Sequence, residues 1–305
     1  MTAMDPRSLR NAFGTFLTGV TVVTAHGADG EPLGFTANSF SSVSLDPPLL
    51  LVCLAKSSSN YDALTNASGF AVNILAETQK DVSNTFASRV EDRFATVDWK
   101  VGPNGAPVIS DVAAWFDCSM HNVVDAGDHA ILIGEVKAFD TGVANGLGYA
   151  RGAYFTATQE ISSIQVDSET IISALLERDG KLLFLEDDAG QLRLPSRTAS
   201  KGTPTKELAA LLEEAGIPSS VGFIYSVYED ESANAQHLAF HCSAGEGDSK
   251  VGSFLSLTDD VLARVKDTAT QTMLTRFARE AQKGNFGIYF GNQESGEVRK
   301  IALGE

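Results

Sequence analysis

Along the first half of the chain, apolar residues come in short bursts separated by Gly, Asp and Pro, the pattern of many short strands. Asp5-Pro6 reads as an N-cap followed by proline at the first helical position. Phe13, Phe16 and Leu17 then predict an apolar helix face, stopped at Gly19. Residues 20–25 continue as a strand that turns at 26–30. Helices are expected near 59–66 and 78–88. The apolar segments 115–120 and 130–136 bracket Asp125-Ala-Gly-Asp128, which predicts a hairpin. Together these elements describe a small closed or nearly closed β-barrel with peripheral helices.

The pattern changes after a polar stretch at 158–167, which reads as a linker. Ser168 is placed to cap a helix carrying Ile171, Ile172, Leu175 and Leu176 and ending at Gly180. Residues 181–186 and 191–194 predict a hairpin around Asp187-Asp-Ala-Gly190. Thr203-Pro204 opens a helix through Leu208, Leu211 and Leu212 that ends at Gly216. Strands are expected near 222–229 and 236–241, a helix near 268–283, and closing strands near 286–290 and 298–302. This second half is an α+β pattern. The division is therefore 1–157, a linker at 158–167, and 168–305, which suits a chain of 305 residues.

Composition narrows the function classes. The apolar fraction is 43% and the mean hydropathy −0.02, values of an ordinary globular protein with a real core. The net charge is −16, shared between the halves: nine basic against sixteen acidic residues up to 157, fourteen against twenty-three thereafter. An acidic chain repels phosphate backbones and anionic membranes, so nucleic-acid and lipid binding are not expected. Cys53, Cys118 and Cys242 are scattered, with no metal-type pairing and no disulfide framework. No apolar run is long enough to span a bilayer or form a signal peptide, so a reducing cytoplasm is the expected compartment. No nucleophile triad or metal cluster stands out. Gly142-Val-Ala-Asn-Gly-Leu-Gly148 lacks the spacing and βαβ context of a dinucleotide fingerprint.

The candidate chemistry begins at Gly34-Phe-Thr-Ala-Asn-Ser-Phe-Ser-Ser-Val-Ser-Leu45, where small hydroxyl and amide side chains replace the usual alternation and then lead into the apolar strand 49–54. Such a surface lets backbone approach a flat, hydrogen-bond-rich ligand. Other segments follow in order: Asn11-Ala-Phe-Gly-Thr-Phe-Leu-Thr-Gly-Val-Thr-Val-Val-Thr24, Ala55-Lys-Ser-Ser-Ser-Asn-Tyr-Asp-Ala-Leu64, Gly69-Phe-Ala-Val-Asn-Ile-Leu75, Ser88-Arg-Val-Glu-Asp-Arg-Phe94, Gly127-Asp-His129 with Gly134-Glu-Val136, and Tyr149-Ala-Arg-Gly-Ala-Tyr154. Over residues 5–157 the set resembles the flavin reductase family, whose fold is a Greek-key split β-barrel that binds FMN.

The resemblance implies an NAD(P)H:flavin oxidoreductase, using FMN or FAD with NADH or NADPH and supplying reduced flavin to a partner monooxygenase. It also implies a homodimer. The hard chemistry then belongs to the cofactors, and the protein aligns two rings. Thr36, Ala37, Asn38 and Ser39 would line the isoalloxazine and ribityl chain. Ser41, Ser57, Ser58 and Ser59 would serve the ribityl end and phosphate, with Arg93 or Arg89 on the phosphate. His129 would face the nicotinamide, Arg151 a cofactor phosphate, and Tyr154 the flavin or the closing of the barrel. A flavin-binding sensor or carrier without turnover is the alternative.

In the second half, Leu194-Pro195, Gly202 and Glu207-Leu-Ala-Ala-Leu-Leu-Glu-Glu-Ala-Gly-Ile217 resemble a Nudix box. That family clusters glutamates on one helix to hold Mg²⁺ at a diphosphate. Here Ala209 and Ala210 stand at the positions of the signature's arginine and first glutamate, and Ser196, Arg197 and Ser200 occupy its loop. The resemblance implies a degenerate Nudix-like domain that has kept its fold and lost hydrolysis. A Nudix-type nucleoside-diphosphate hydrolase is the other alternative.

Overall fold

A computed structural model describes residues 5–90, 92–156, 166–202, 204–230, 235–281, 286–292 and 296–300. The chain divides into two compact units, Met1–Thr156 and Ala157–Glu305. Of the expected linker, 158–165 lie outside the described residues, and 166–167 open a strand. No described helix is long and apolar enough to cross a membrane.

The first unit is mainly β. It opens with α1 (Pro6–Phe13), where the Asp5 carboxylate accepts from the backbone N–H of Arg7 and Ser8. The helix ends at Gly14, not at Gly19 as the apolar spacing predicts. The Thr15 hydroxyl donates to the Ala12 carbonyl, and the backbone N–H groups of Thr15 and Phe16 bond three residues back, tightening the last turn. Phe13, Phe16 and Leu17 are 71%, 74% and 58% exposed, and α1 buries no residue, so they form no core-facing stripe.

The strands of this unit are β1 (Thr18–Gly19), β2 (Thr21–His26), β3 (Pro32–Ala37), β4 (Ser41–Leu45), β5 (Pro48–Ala55), β6 (Gly69–Ile74), β7 (Trp99–Val101), β8 (Pro107–Ile109), β9 (Ala114–Ala126), β10 (His129–Thr141), β11 (Gly148–Ala150) and β12 (Ala153–Phe155). Seven of them form a sheet in the order β3-β2-β6-β9-β10-β5-β4, with every pairing antiparallel. One buried cluster collects Val23, Ala37, Leu50, Val52, Phe70, Cys118 and Leu132. It draws on strands from both halves of the sheet, so the sheet curls around it. The helices α2 (Tyr61–Thr65) and α3 (Lys80–Ala87) bury Leu64 and Phe86. The expected hairpin is β9–β10, turning at Gly127 with φ +71°.

In the second unit the apolar run after Ser168 is a strand, not the helix that its spacing predicts. The strands are β13 (Val166–Arg178), β14 (Lys181–Glu186), β15 (Leu192–Arg193), β16 (Ser196–Gly202), β17 (Ser219–Asp230), β18 (Ala235–Ala244), β19 (Ser253–Ser256), β20 (Gly287–Asn292) and β21 (Gly296–Lys300). They make one mixed sheet, with β13–β18 and β17–β20 parallel. The helix α4 (Pro204–Ala215) shares a core with Ile172, Ala174 and Leu176 on one face of β13. After the short α5 (Asp259–Ala263), α6 (Thr268–Ala281) shares a second core with Leu175 on the other face. β13 is thus buried on both faces, which removes the alternation that marks a strand.

Candidate functional site

Strand alternation organises the site around the end of β3. Ala37 is 9% exposed and belongs to the core cluster, so its side chain is not part of a surface. Thr36 and Asn38, on either side, are directed away from that core. The Thr36 hydroxyl donates to the Ser83 carbonyl at 2.7 Å, tying β3 to α3. The Ser39 hydroxyl accepts from the Cys53 backbone N–H at 2.8 Å, which pins the segment onto β5. Ser41 is exposed, and its hydroxyl donates to the Ser42 carbonyl.

The turn after β5 brings three serines to the same region. The Ser58 backbone N–H donates to the Ala55 carbonyl, and the Ser58 hydroxyl accepts from the Asn60 backbone N–H at 3.2 Å. The Asn60 amide and the Arg93 guanidinium both donate to the Gly34 carbonyl, at 2.9 and 2.8 Å. Arg93 also donates from Nε and Nη2 to the Ser88 carbonyl, so three carbonyl contacts fix its plane. A cavity of about 660 Å³ is lined by Thr36, Ser57, Ser58, Ser59, Arg89 and Arg93. Hydroxyls and two guanidinium groups around one space suit a phosphate.

A second cavity of about 1040 Å³ brings Asn38, His129 and Arg151 together with Arg10, Phe13 and Thr15 from the end of α1. His129 opens β10, and its Nδ1 lies 2.7 Å from the Asp128 carboxylate. That hydrogen bond, the largest cause, and the nearby imidazole hold the Asp128 carboxyl below the usual carboxylate range. An imidazole engaged with Asp128 through Nδ1 leaves Nε2 for a ligand. Arg151 has φ +48° and Gly152 φ +84°, the backbone of a tight β11–β12 turn, in which a non-glycine residue is unusual. The Arg151 N–H donates to the Gly14 carbonyl at 2.7 Å and so docks the turn on the end of α1.

The structure therefore gathers nine of the residues singled out in the sequence into two cavities and places four elsewhere. Ala37 is in the core, and Ser39 braces β5. Ser41 lies outside both cavities. The Tyr154 hydroxyl donates to the Asn84 side-chain carbonyl at 2.8 Å and shares a hydrogen bond with the Ser83 hydroxyl at 2.9 Å, closing β12 onto α3. The sequence does not single out Arg10, Thr15 or Asn60, and marks Phe13 only as part of a helix face; its exposure at the end of α1 is the signal that this end of the helix borders a site. Burial pushes the Cys118 and Cys242 thiols up to about 12, which removes both from thiolate chemistry.

Comparison with known proteins gives the family. The model of the flavin reductase like domain matches residues 13–158. A protein of Rhizobium meliloti (strain 1021) named "Probable flavin reductase" is 53% identical over 98% of this chain and 96% of its own length. The reductase component of a flavin-dependent trigonelline monooxygenase from Acinetobacter baylyi is 46% identical over 97% of this chain and 95% of its own. An FMN reductase (NADH) of Agrobacterium fabrum is 48% identical over 43% of this chain and 75% of its own. The first two relatives match along both units. With that likeness over nearly its whole length, the chain belongs to the flavin reductase family.

Proposed function

We propose that this chain reduces FMN or FAD with NADH or NADPH and hands the reduced flavin to a monooxygenase partner. The observation that carries the reading is the pair of cavities flanking Thr36–Asn38 in a flavin reductase-like unit. The donor set fits a flavin nucleotide: Ser57, Ser58, Ser59, Arg89 and Arg93 hold the phosphate, and backbone at Ala37 and Asn38 meets the ring. Held there, a flavin would supply the hydride acceptor for the nicotinamide. The protein's own part is alignment: His129 offers Nε2 to the nucleotide, and Arg151 stands at the same cavity. Full-length relatives named as a flavin reductase and a monooxygenase reductase component support turnover over passive carriage. In anaerobic stopped flow, NADH or NADPH bleaches the flavin absorbance. Flavin binding without bleaching by either nucleotide overturns the reading.

The first unit is read as a split barrel that pairs with a second copy. Support comes from an apolar outer face, Leu49, Leu51 and Cys53 on β5 beside Ile131 and Ile133 on β10. The second unit is read as a Nudix-like fold without hydrolysis, supported by a mixed sheet between α4 and α6. Of the two glutamates left in the Nudix-like signature, Glu213 and Glu214, the second is paired with Arg197, which also bridges to Glu207. Three free thiols accord with a reducing cytoplasm.

A further inference from the structure

We propose that the second unit binds a single-ring aromatic monocarboxylate, held by Arg276 in a cavity between α6 and the β17–β20–β21 side of its sheet. The cavity measures about 360 Å³ and is lined by Ser226, Tyr228, Met273, Arg276, Tyr289 and Val298 among others. That is the small end of ligand-pocket sizes, room for one ring with a substituent and not for a dinucleotide.

Arg276 identifies the charge of the ligand. Its side chain is only 18% exposed. Nη2 donates to the Tyr225 carbonyl at 3.0 Å and Nη1 to the Gly287 carbonyl at 3.3 Å. The guanidinium lies 4.0 Å from the Tyr225 ring centre and 5.6 Å from that of Tyr289. Its one carboxylate partner among the described residues is Glu280, with Oε1 at 4.0 Å, too far for a hydrogen bond. The other oxygen of Glu280 accepts from the Tyr225 hydroxyl at 3.0 Å and the Gly287 N–H at 3.3 Å. A largely buried cation is thus held rigidly but only partly neutralised, and burying such a group is costly without closer compensation. Among the described residues three of its five N–H donors find no acceptor, enough for a bidentate carboxylate. Glu280 nearby disfavours a second negative charge, which selects a carboxylate over a phosphate dianion.

The walls identify the rest. Tyr228 is stacked on His237 at 4.5 Å and 10°, so its ring is a fixed plane. Met273 and Val298 add apolar surface that adapts to a ring. A flat apolar body with one anionic end matches both features.

Calorimetry of the full-length protein with benzoate tests the assignment, with benzamide as the uncharged analogue and inorganic phosphate as the ringless anion. Benzoate is expected to bind with a Kd of about 1 mM or tighter. Benzamide, phosphate and the Arg276→Gln variant should each bind at least about tenfold more weakly. Arg276 also braces two carbonyls, so a second variant guards against loss of fold. Thr272 is exposed on α6 at the cavity wall. Thr272→Trp should fill the space, abolish benzoate binding and leave thermal melting and flavin affinity unchanged. No benzoate heat at about 10 mM ligand overturns the proposal. So does equal binding of benzamide or phosphate, or undiminished benzoate binding in Thr272→Trp.

Discussion

As proposed, His129 serves the nucleotide through Nε2, because Nδ1 is engaged with the Asp128 carboxylate, so removing the ring removes a single hydrogen bond and leaves the β9–β10 turn to its backbone bonds. On the proposed reading, His129→Ala therefore slows hydride transfer or weakens nicotinamide binding by a few-fold to about tenfold, the worth of one hydrogen bond. Flavin affinity changes less. Stopped-flow rates beside a flavin titration separate the two, and a fall in flavin affinity with unchanged hydride transfer contradicts the role. Asp117 makes a different residue-scale point, about stability. It is fully buried on β9, its Oδ2 accepts from the Asn104 N–H, and its Oδ1 has no partner among the described residues. Burial pushes its carboxyl above the usual aspartate range, against the lowering effect of backbone N–H groups at 104–106. A raised folded-state acid binds more protons folded than unfolded, so its contribution is present at low pH and lost as pH rises through the raised value. Asp117→Asn should flatten that decline. Urea denaturation of the variant and wild type from pH 4 to pH 7 checks it, and parallel pH profiles refute it.

At the scale of elements, the strands of the first unit were legible because most of them keep one face on the core, as β5 does with Leu50, Val52 and Leu54. β13 was not. Ile171, Ile172, Leu175 and Leu176 fit a helical stripe, but the strand sends Ile172, Ala174 and Leu176 to one core and Leu175 to the other. A strand covered on both faces carries no period of two. The end of α1 failed for a local reason, a threonine hydroxyl returning to its own helix. In the candidate site, the residue types around β3 were readable, whereas the bonds of Ser39 to β5 and Tyr154 to α3 depend on distant partners. α4 was legible, and it carries the next prediction. Glu207 and Glu214 lie two turns apart on one face, where Arg197 from β16 meets both. With Glu214 paired and Ala210 in place of a glutamate, Glu213 is the one signature carboxylate left for Mg²⁺, too few oxygen ligands to hold it. Incubation with NADH or ADP-ribose and Mg²⁺ should release no AMP. Release of AMP, lost on Glu214→Gln, would restore the hydrolase reading.

For the whole molecule, the open question is what covers the outer face of the first unit's sheet. The register sets Cys53 opposite Ile131 and Leu51 opposite Ile133, and Val124 opposite Ile131 on the other side. All five side chains alternate with core residues, so they share the face away from the core. A continuous apolar strip on an antiparallel sheet marks an interface. A second copy is the proposed occupant, because a two-fold axis lets one patch complement itself, and a single substitution then enters the interface twice. Ile131→Lys places two ammonium groups in that contact without a partner. An uncompensated buried charge costs several kcal/mol, and each 1.4 kcal/mol is about tenfold in dissociation constant. Light scattering should therefore find the parent chain dimeric at micromolar concentration and Ile131→Lys monomeric. Core residues of β10 are untouched by the change, so its circular dichroism should match the parent's. If the partner copy helps to close the cavity around His129, flavin affinity falls together with the dimer. A parent chain that is monomeric with flavin bound removes the pairing and leaves each site complete within one chain.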